Sequence, residues 1–472
     1  MQAAVLTVLA VAPAALGFYL KRKNRLTADR LCMLLIFGGI VLRLMYISYT
    51  DVTARQHDVG DFLRKTSGHA GYIKYLLRNR HLPDFDPRLA DQFYHPPLHH
   101  IIGALVLAAV RALGFDPLRT GPVVLQYIAA AYSSLFSVLM WRTLRHIGIK
   151  DEPLVLACAV SAYHPTLIIL SGSINNDMLS IVLGTAAVFF TVRWSKERRL
   201  RDIIGAAFAL GFGMMAKLSA ALLAPAIAAV FITVLVKKRK EWKSLLTQFI
   251  VFGCICAPIG LCCPVRNLVM FGVPFGYIPA LGKDSGQYIS KTPVERITDW
   301  SLFQLSSPFT QWEWYHDDYN EFNPIIALLK NAMFDEDAPF IGSLTLQSFC
   351  TALFFAGAAV AAVSVFAVIT LFSKKEKLPF ELKLMFAVMY AVTFGSYIIF
   401  CFRYPQVCTQ NMRYCVPLIV SGTAALGLLM RRAPKSGRLT RCFAKAARGA
   451  IPLMCAFSAF VYAAQMYLRL GR

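Results

Sequence analysis

Charge is scarce in this chain: Asp, Glu, Lys and Arg make up 16% of its 472 residues, and acid is the scarcer sign, 26 against 49 basic residues. An ordinary soluble domain carries about 25% charged residues, so a soluble fold is excluded first. A basic n-region ahead of the first apolar stretch is also missing. Lys21-Arg22-Lys23 follow that stretch instead, which argues for an anchor with its N-terminus outward rather than a signal peptide. No internal repeat and no low-complexity tail are visible, which removes solenoids and weakens a transporter built of two related halves. The 12 cysteines show no zinc-type spacing, and those at 254, 256, 262 and 263 read as small buried thiols.

What the chain has is apolar surface and unevenly placed base. It is 57% hydrophobic with a mean hydropathy of +0.53, the composition of a membrane protein. Six short tracts, Lys21–Arg30, Arg142–Lys150, Arg193–Arg201, Lys237–Lys243, Lys374–Lys383 and Arg431–Arg448, hold 29 of the 49 Lys and Arg. All six fall on one side of a membrane if the stretch 97–113 does not cross it, and Lys/Arg excess marks the cytoplasmic side. The net charge of +23 is spread over these tracts rather than gathered on a folded face, so anionic lipid headgroups, not nucleic acid, are the expected partners.

A bilayer core takes about 20 apolar residues in a helix. On that ruler spans are expected near 3–20, 31–50, 120–141, 153–171, 178–194, 202–216, 218–236, 245–263, 344–372, 384–402, 414–430 and 450–468. The expectation is an all-α integral membrane protein of about 12 transmembrane helices in a single polytopic domain, 1–472. Two exterior loops, 51–119 and 264–343, hold 17 of the 26 acids. Within the first, 97–113 opens with Pro96-Pro97 and carries His99, His100 and Arg111, which suits a helix lying at the outer interface.

Charges near a span are costly and usually face a cavity or a partner. Arg43, Asp177, Lys217, Arg403 and Arg413 all fall in the outer half by this topology, which favours a polar site on the exterior face. The first exterior loop is richest in possible chemistry: Thr53-Ala54-Arg55-Gln56-His57-Asp58, Gly68-His69-Ala70-Gly71-Tyr72, and Gln92-Phe93-Tyr94-His95-Pro96-Pro97-Leu98-His99-His100. A carboxylate held just beyond a span can take a proton from an acceptor hydroxyl presented at the membrane surface. The histidines raise a metal alternative, but their spacings match no tight motif. No cofactor is required on this reading, and a divalent cation is not favoured.

Taken in order, several short motifs resemble one group of enzymes. They are a membrane-proximal acid in the first exterior loop, His95-Pro96-Pro97-Leu98, Asn175-Asn176-Asp177, Ala216-Lys217, Arg266-Asn267 entering an exterior segment, and Arg413-Tyr414-Cys415-Val416-Pro417. Together they resemble the GT-C membrane glycosyltransferases, specifically the protein O-mannosyltransferase and lipid A aminoarabinose transferase group, from about Arg43 to Pro417. The resemblance implies a polyprenyl-phosphate-linked sugar as donor and an inverting transfer to an acceptor hydroxyl at the non-cytoplasmic face. It places Asp58 as general base. The group's Asp-Glu pair reads His57-Asp58 here, so the carboxylate acts either alone or with Asp61 to assist.

Lys217, Arg266 and Arg413 are the candidate cations for the departing phosphate. Arg55, His57, Asp61, His95, Asn176, Asp177 and Tyr414 complete the expected substrate-binding set. Trp312-Glu313-Trp314-Tyr315-His316 in the second exterior loop reads either as a sugar-stacking cluster or as an interfacial aromatic belt, with the belt slightly preferred. The rival readings are a transporter or flippase of sugar or sugar-lipid, and a polysaccharide polymerase or ligase.

Overall fold

The computed structural model describes residues 2–52, 57–64, 67–285, 287–300, 321–335 and 344–470. These form seventeen α-helices. In the first half of the chain they are α1 Gln2–Arg22, α2 Ala28–Tyr49, α3 Gly68–Asn79, α4 Leu98–Ala112, α5 Gly121–His146, α6 Asp151–Tyr163, α7 Pro165–Ile169, α8 Asp177–Glu197 and α9 Leu200–Ala216. The second half adds α10 Ala224–Lys237, α11 Trp242–Phe271, α12 Pro293–Thr298, α13 Pro324–Phe334, α14 Leu344–Ile369, α15 Phe380–Arg403, α16 Pro417–Arg432 and α17 Arg438–Leu470. Among the described residues the only β-type pairing is one antiparallel bridge, Tyr288 with Gln406. Arg55 and the aromatic cluster at 312–316 lie outside the described residues.

The all-helical membrane architecture is as expected, because backbone polar groups in hydrocarbon have to be paired within their own segment. Each expected span falls on a helix, but the count of twelve is not confirmed. Nine helices of the described residues are long and apolar enough to cross a bilayer, and a tenth span results if the pair Asp151–Tyr163 and Pro165–Gly172, bent by 46°, counts as one. The other two expected spans, α9 with 17 residues and α16 with 16, are shorter than these, and the count of twelve stands as an expectation. The bend follows from Pro165, which lacks an N–H and clashes with the preceding turn. One correction concerns α11. It runs on past 263 to Phe271 with Pro258 and Pro264 inside it, so Arg266 and Asn267 belong to helical turns rather than to a loop.

The chain divides into two compact units, residues 1–49, 140–169 and 280–472 forming the first, and 50–139 with 170–279 the second. In the first unit α2 packs closely on α6. A Cβ at Gly39 would lie 2.6 Å from the Ala162 carbonyl oxygen, so only glycine lets the two backbones approach this far. The same contact houses Arg43, which is 1% exposed and donates from Nη1 to the carbonyls of Gly39 and Ala162, both at 2.8 Å. Arg43 therefore closes the C-terminal end of α6. At the other end of this unit, the buried Glu376 takes an ion pair from Arg431, and Arg432 lies 3.7 Å from it. Part of one basic tract is thus occupied inside the protein.

The second unit holds the first exterior loop. Its α3 and α4 pack face to face, and α4 is two-sided: His100, Gly103, Ala104, Leu107 and Val110 are buried, whereas Leu105 and Leu113 are exposed. That is the profile expected of an interfacial helix. Val59, Phe62, Ala70, Ile73, Leu107, Leu125 and Ile174 form one buried cluster. Burying a side chain such as Val59 or Phe62 is worth about 1.5–3 kcal/mol, enough to fix the loop that carries them.

Candidate functional site

The cluster around Val59 and Ile174 brings two sequence-distant segments to one place, the loop bearing Asp58 and Asp61 and the Asn175-Asn176-Asp177 turn. Asp58 is exposed and holds φ of +57°, a left-handed conformation that Asp and Asn tolerate better than other side chains. Its carbonyl accepts the His69 N–H at 3.0 Å, and that of Val59 accepts the Ala70 N–H at 2.8 Å. Two N–H groups at the start of α3 are met in this way. Gly68 makes the approach possible. It has φ of +77°, and a Cβ there would lie 2.7 Å from both the Asp58 and the Val59 carbonyl oxygens. His57 is buried beside Asp58. Asp61 accepts the Leu63 N–H at 2.7 Å, which pulls its carboxyl below the usual range, and its carbonyl takes Lys74 Nζ at 3.0 Å.

Below the loop lies a group of imidazoles. His69 Nδ1 and His100 Nε2 share a hydrogen bond of 2.9 Å. His95 stacks on His69 with ring centroids 5.8 Å apart, and Tyr72 stacks on His100 at 4.2 Å. Burial first, and then the neighbouring imidazoles, hold His69 and His100 well below the normal histidine pKa. Burial also lowers His99 to about 4, against the opposing pull of Asp177 and of a hydrogen bond to the Ile174 backbone. The rings are therefore neutral at pH 7. Among the described residues no three His, Cys, Asp or Glu side chains converge as metal ligands would.

Asp177 opens α8, where the helix dipole favours an acid, and Lys217 follows the last residue of α9. Lys217 Nζ donates to Asp177 Oδ1, with the side chains 13% and 3% exposed. Asn176 Nδ2 donates to the Ala216 carbonyl at 3.1 Å, and the Asp177 N–H donates to Asn175 Oδ1 at 3.1 Å. Four buried atoms here make no hydrogen bond in the structure: Asn175 Nδ2, Asn176 Oδ1, Ser173 Oγ and His99 Nε2. Native interiors leave few such atoms, and several in one turn mark a place where polar groups from elsewhere belong.

The remaining expected cations are Arg266, in the second unit, and Arg413, in the first. On the last turns of α11, Arg266 donates to the Pro83 carbonyl and to Asn267 Oδ1 (3.2 Å). It also packs 5.5 Å from the centre of the Phe271 ring, so it braces residues 82–86 as well as carrying charge. Arg413 and Tyr414 belong to the first unit, where Arg413 Nη2 donates to the Tyr414 hydroxyl at 2.7 Å. Sequence reasoning read His99 and His100 as part of an interfacial helix and raised a disfavoured metal alternative for the histidines. Their role as a neutral packed group was signalled by spacing, since His100, Gly103, Ala104 and Leu107 repeat at the helical period.

Residues 95–259 match the family model described as dolichyl-phosphate-mannose-protein mannosyltransferase. That stretch contains the His-Pro-Pro-Leu, Asn-Asn-Asp and Ala-Lys motifs, and the match supports the resemblance to GT-C membrane glycosyltransferases. A search of curated proteins gives no match. Among solved structures, the chain is similar to the S. cerevisiae protein O-mannosyltransferase Pmt1-Pmt2 complex bound to the sugar donor, at 17% identity and a TM-score of 0.37 over 55% of this chain and 35% of that one. It is similar to the Archaeoglobus fulgidus oligosaccharyltransferase at 14% identity and a TM-score of 0.49, over 91% of this chain and 56% of that one. ArnT from Cupriavidus metallidurans gives 14% identity and a TM-score of 0.39, over 85% and 78%. The chain thus spans about a third of the yeast chain and just over half of the archaeal one.

Proposed function

We propose that this protein moves a sugar from a polyprenyl-phosphate-linked donor to an acceptor hydroxyl at the non-cytoplasmic membrane face, with inversion. The acceptor oxygen attacks the anomeric carbon while its proton passes to the Asp58 carboxylate. The bond between that carbon and the phosphate oxygen breaks, and the polyprenyl phosphate departs with the bonding electrons. The observation that carries this reading is the placement of Asp58, exposed in a left-handed turn and anchored through Val59 beside the Asn175–Asp177 turn. Such anchoring suits a base that has to meet its proton donor in a fixed orientation.

The other roles follow from chemistry. Asn176 and Asp177 with the unpaired atoms of Ser173 and Asn175 offer donors and acceptors to sugar hydroxyls. Lys217 and Arg266 in the second unit, and Arg413 with Tyr414 against it in the first, are each a candidate cation for phosphate. His57, Asp61, His95 and Arg55 shape the surroundings of the base. A carboxylate base and cationic leaving-group stabilisation need no metal ion, so none is assigned. The basic tracts face the cytoplasm and meet anionic headgroups.

Asp58→Asn tests the reading, because Asn keeps both the shape and the tolerance for positive φ. Purified variant protein is offered a panel of radiolabelled lipid-phosphate sugars. Transfer should fall by about 10²–10⁴-fold with donor binding retained. Transfer at the wild-type rate removes Asp58 from the base role.

A further inference from the structure

In the first unit, the segment between α15 and α16 that carries Arg413 has only two short 3-10 turns, Val407–Gln410 and Met412–Cys415. Its polar groups are met by side chains from the second exterior segment. Gln410, fully buried, accepts Arg296 Nη2 on Oε1 at 2.8 Å and donates from Nε2 to the Glu321 carbonyl at 3.1 Å. Its own carbonyl accepts Asn331 Nδ2 at 3.0 Å. Arg296, 1% exposed, also donates to the Phe322 and Cys401 carbonyls at 3.0 and 2.7 Å, tying this segment to the end of α15.

The next residue faces two ways. Asn411, 2% exposed, accepts the Arg413 N–H on Oδ1 at 2.8 Å and donates from Nδ2 to Asp335 Oδ1 at 2.7 Å. Asp335 follows α13 with φ of 64° and ψ of −164°, a region that glycine enters freely and other residues rarely do. A side chain held at such a backbone is over-determined by its surroundings, and strained positions of this kind gather at functional sites. Beyond Asn411, the Arg413 guanidinium lies 4.9 Å from the Tyr414 ring centre, so its backbone and its head are both located.

We propose that Asn411 and Asp335 are a positioning pair for Arg413, holding its backbone so that the guanidinium meets the phosphate of a lipid-linked donor. The proposal rests on the reading that Arg413 binds that phosphate. The amide suits this place because one side accepts from Arg413 while the other donates to a carboxylate. An acid at 411 keeps the first bond but sets two carboxylates against each other.

The experiment measures binding of decaprenyl monophosphate to the full chain in nanodiscs, with decaprenol as the phosphate-free control. Asn411→Asp should weaken the phosphate lipid about tenfold, the size of one charge-assisted hydrogen bond, and leave decaprenol unchanged. Adding Asp335→Asn reverses donor and acceptor and should restore binding to within about twofold. A role in folding alone would move both lipids together. Wild-type phosphate affinity in Asn411→Asp overturns the pair, as does failure of the folded exchange variant to restore it. Where Asn411→Asp does not fold, the exchange variant decides alone. Arg413→Gln separates the two levels. Unchanged binding there removes Arg413 from the phosphate site, whereas a loss there with none in Asn411→Asp removes only the positioning pair.

Discussion

Lys217 and Asp177, forty positions apart, form a nearly buried ion pair that links the end of α9 to the start of α8. Without substrate each neutralises the other, and His69 and His99 lie within electrostatic reach of the pair. Removing one member of a buried pair costs more than the pair itself contributes, because the survivor keeps its desolvation penalty.

Lys217→Met and Asp177→Leu are each expected to destabilise the protein by roughly 3–5 kcal/mol, and the double variant by clearly less than their sum. Thermal unfolding of the three purified variants in one detergent measures this. Additive losses would show that the two side chains do not interact in solution.

The transmembrane helices were legible because each is a run of apolar residues ended by charge, and a span needs little else. The end of α11 was not, since Pro264 and Arg266 look like a loop entrance although both sit in continuous helix. A proline at membrane depth is tolerated when neighbouring helices re-satisfy the freed carbonyl. Arg43 stood out as a charge within a span, but its partner Ala162 is 119 positions away and nothing local names it. Among the candidate residues, Asp58 and Asp177 stood out through neighbouring motifs, while Asn411 and Asp335, in the first unit, did not. Their bond needs the turn after α15 and the end of α13 to meet, which is a property of packing. The histidines were visible, but their packing was not, because adjacent positions such as His99 and His100 do not share one helical face. Both are nevertheless buried, with ring centroids 5.3 Å apart.

Gly68 lies between the Asp58 loop and α3. Gly68→Ala forces a Cβ against backbone oxygens of residues 58 and 59 and sets a non-glycine residue at φ of +77°. The Asp58 loop has to move, so transfer should fall at least tenfold, with a stability loss of about 1–3 kcal/mol. Gly114→Ala is the control. It also has positive φ, +86°, but its Cβ meets nothing within 4 Å, so it should cost stability alone. Equal transfer by both variants would argue against any dependence on the position of this loop.

The assigned topology places α4 outside and the tract around Lys435 inside. In a background with all 12 cysteines replaced, Leu105→Cys should react with an impermeant maleimide added to intact cells. Lys435→Cys should react only after permeabilisation. Leu105 is 64% exposed, so access is not limited by burial within the protein. Labelling of position 435 in intact cells would reverse the orientation and take Asp58 off the exterior face.

The imidazole group gives stability a definite pH dependence. His69, His99 and His100 lie outside the spans, and burial holds all three below 6.5, His99 at about 4. Between those values the unfolded chain binds protons that the folded chain does not, so stability rises with pH across the window. The contribution of His99 is complete above about 6.5 and disappears as pH falls towards 4. Its shift corresponds to roughly 3 kcal/mol. The facing groups are His69, His95, His100, Asp177 and Lys217, and Asp177 stays paired with Lys217 while its carboxylate is ionised. Other carboxylates titrate in the same range, so the quantity to follow is the difference between wild type and His99→Gln. Unfolding midpoints measured from pH 7 to pH 4 should show the wild type losing stability faster than the variant as acid is added. Parallel curves would mean that the His99 ring is solvated and not enclosed beside Ile174 and Asp177.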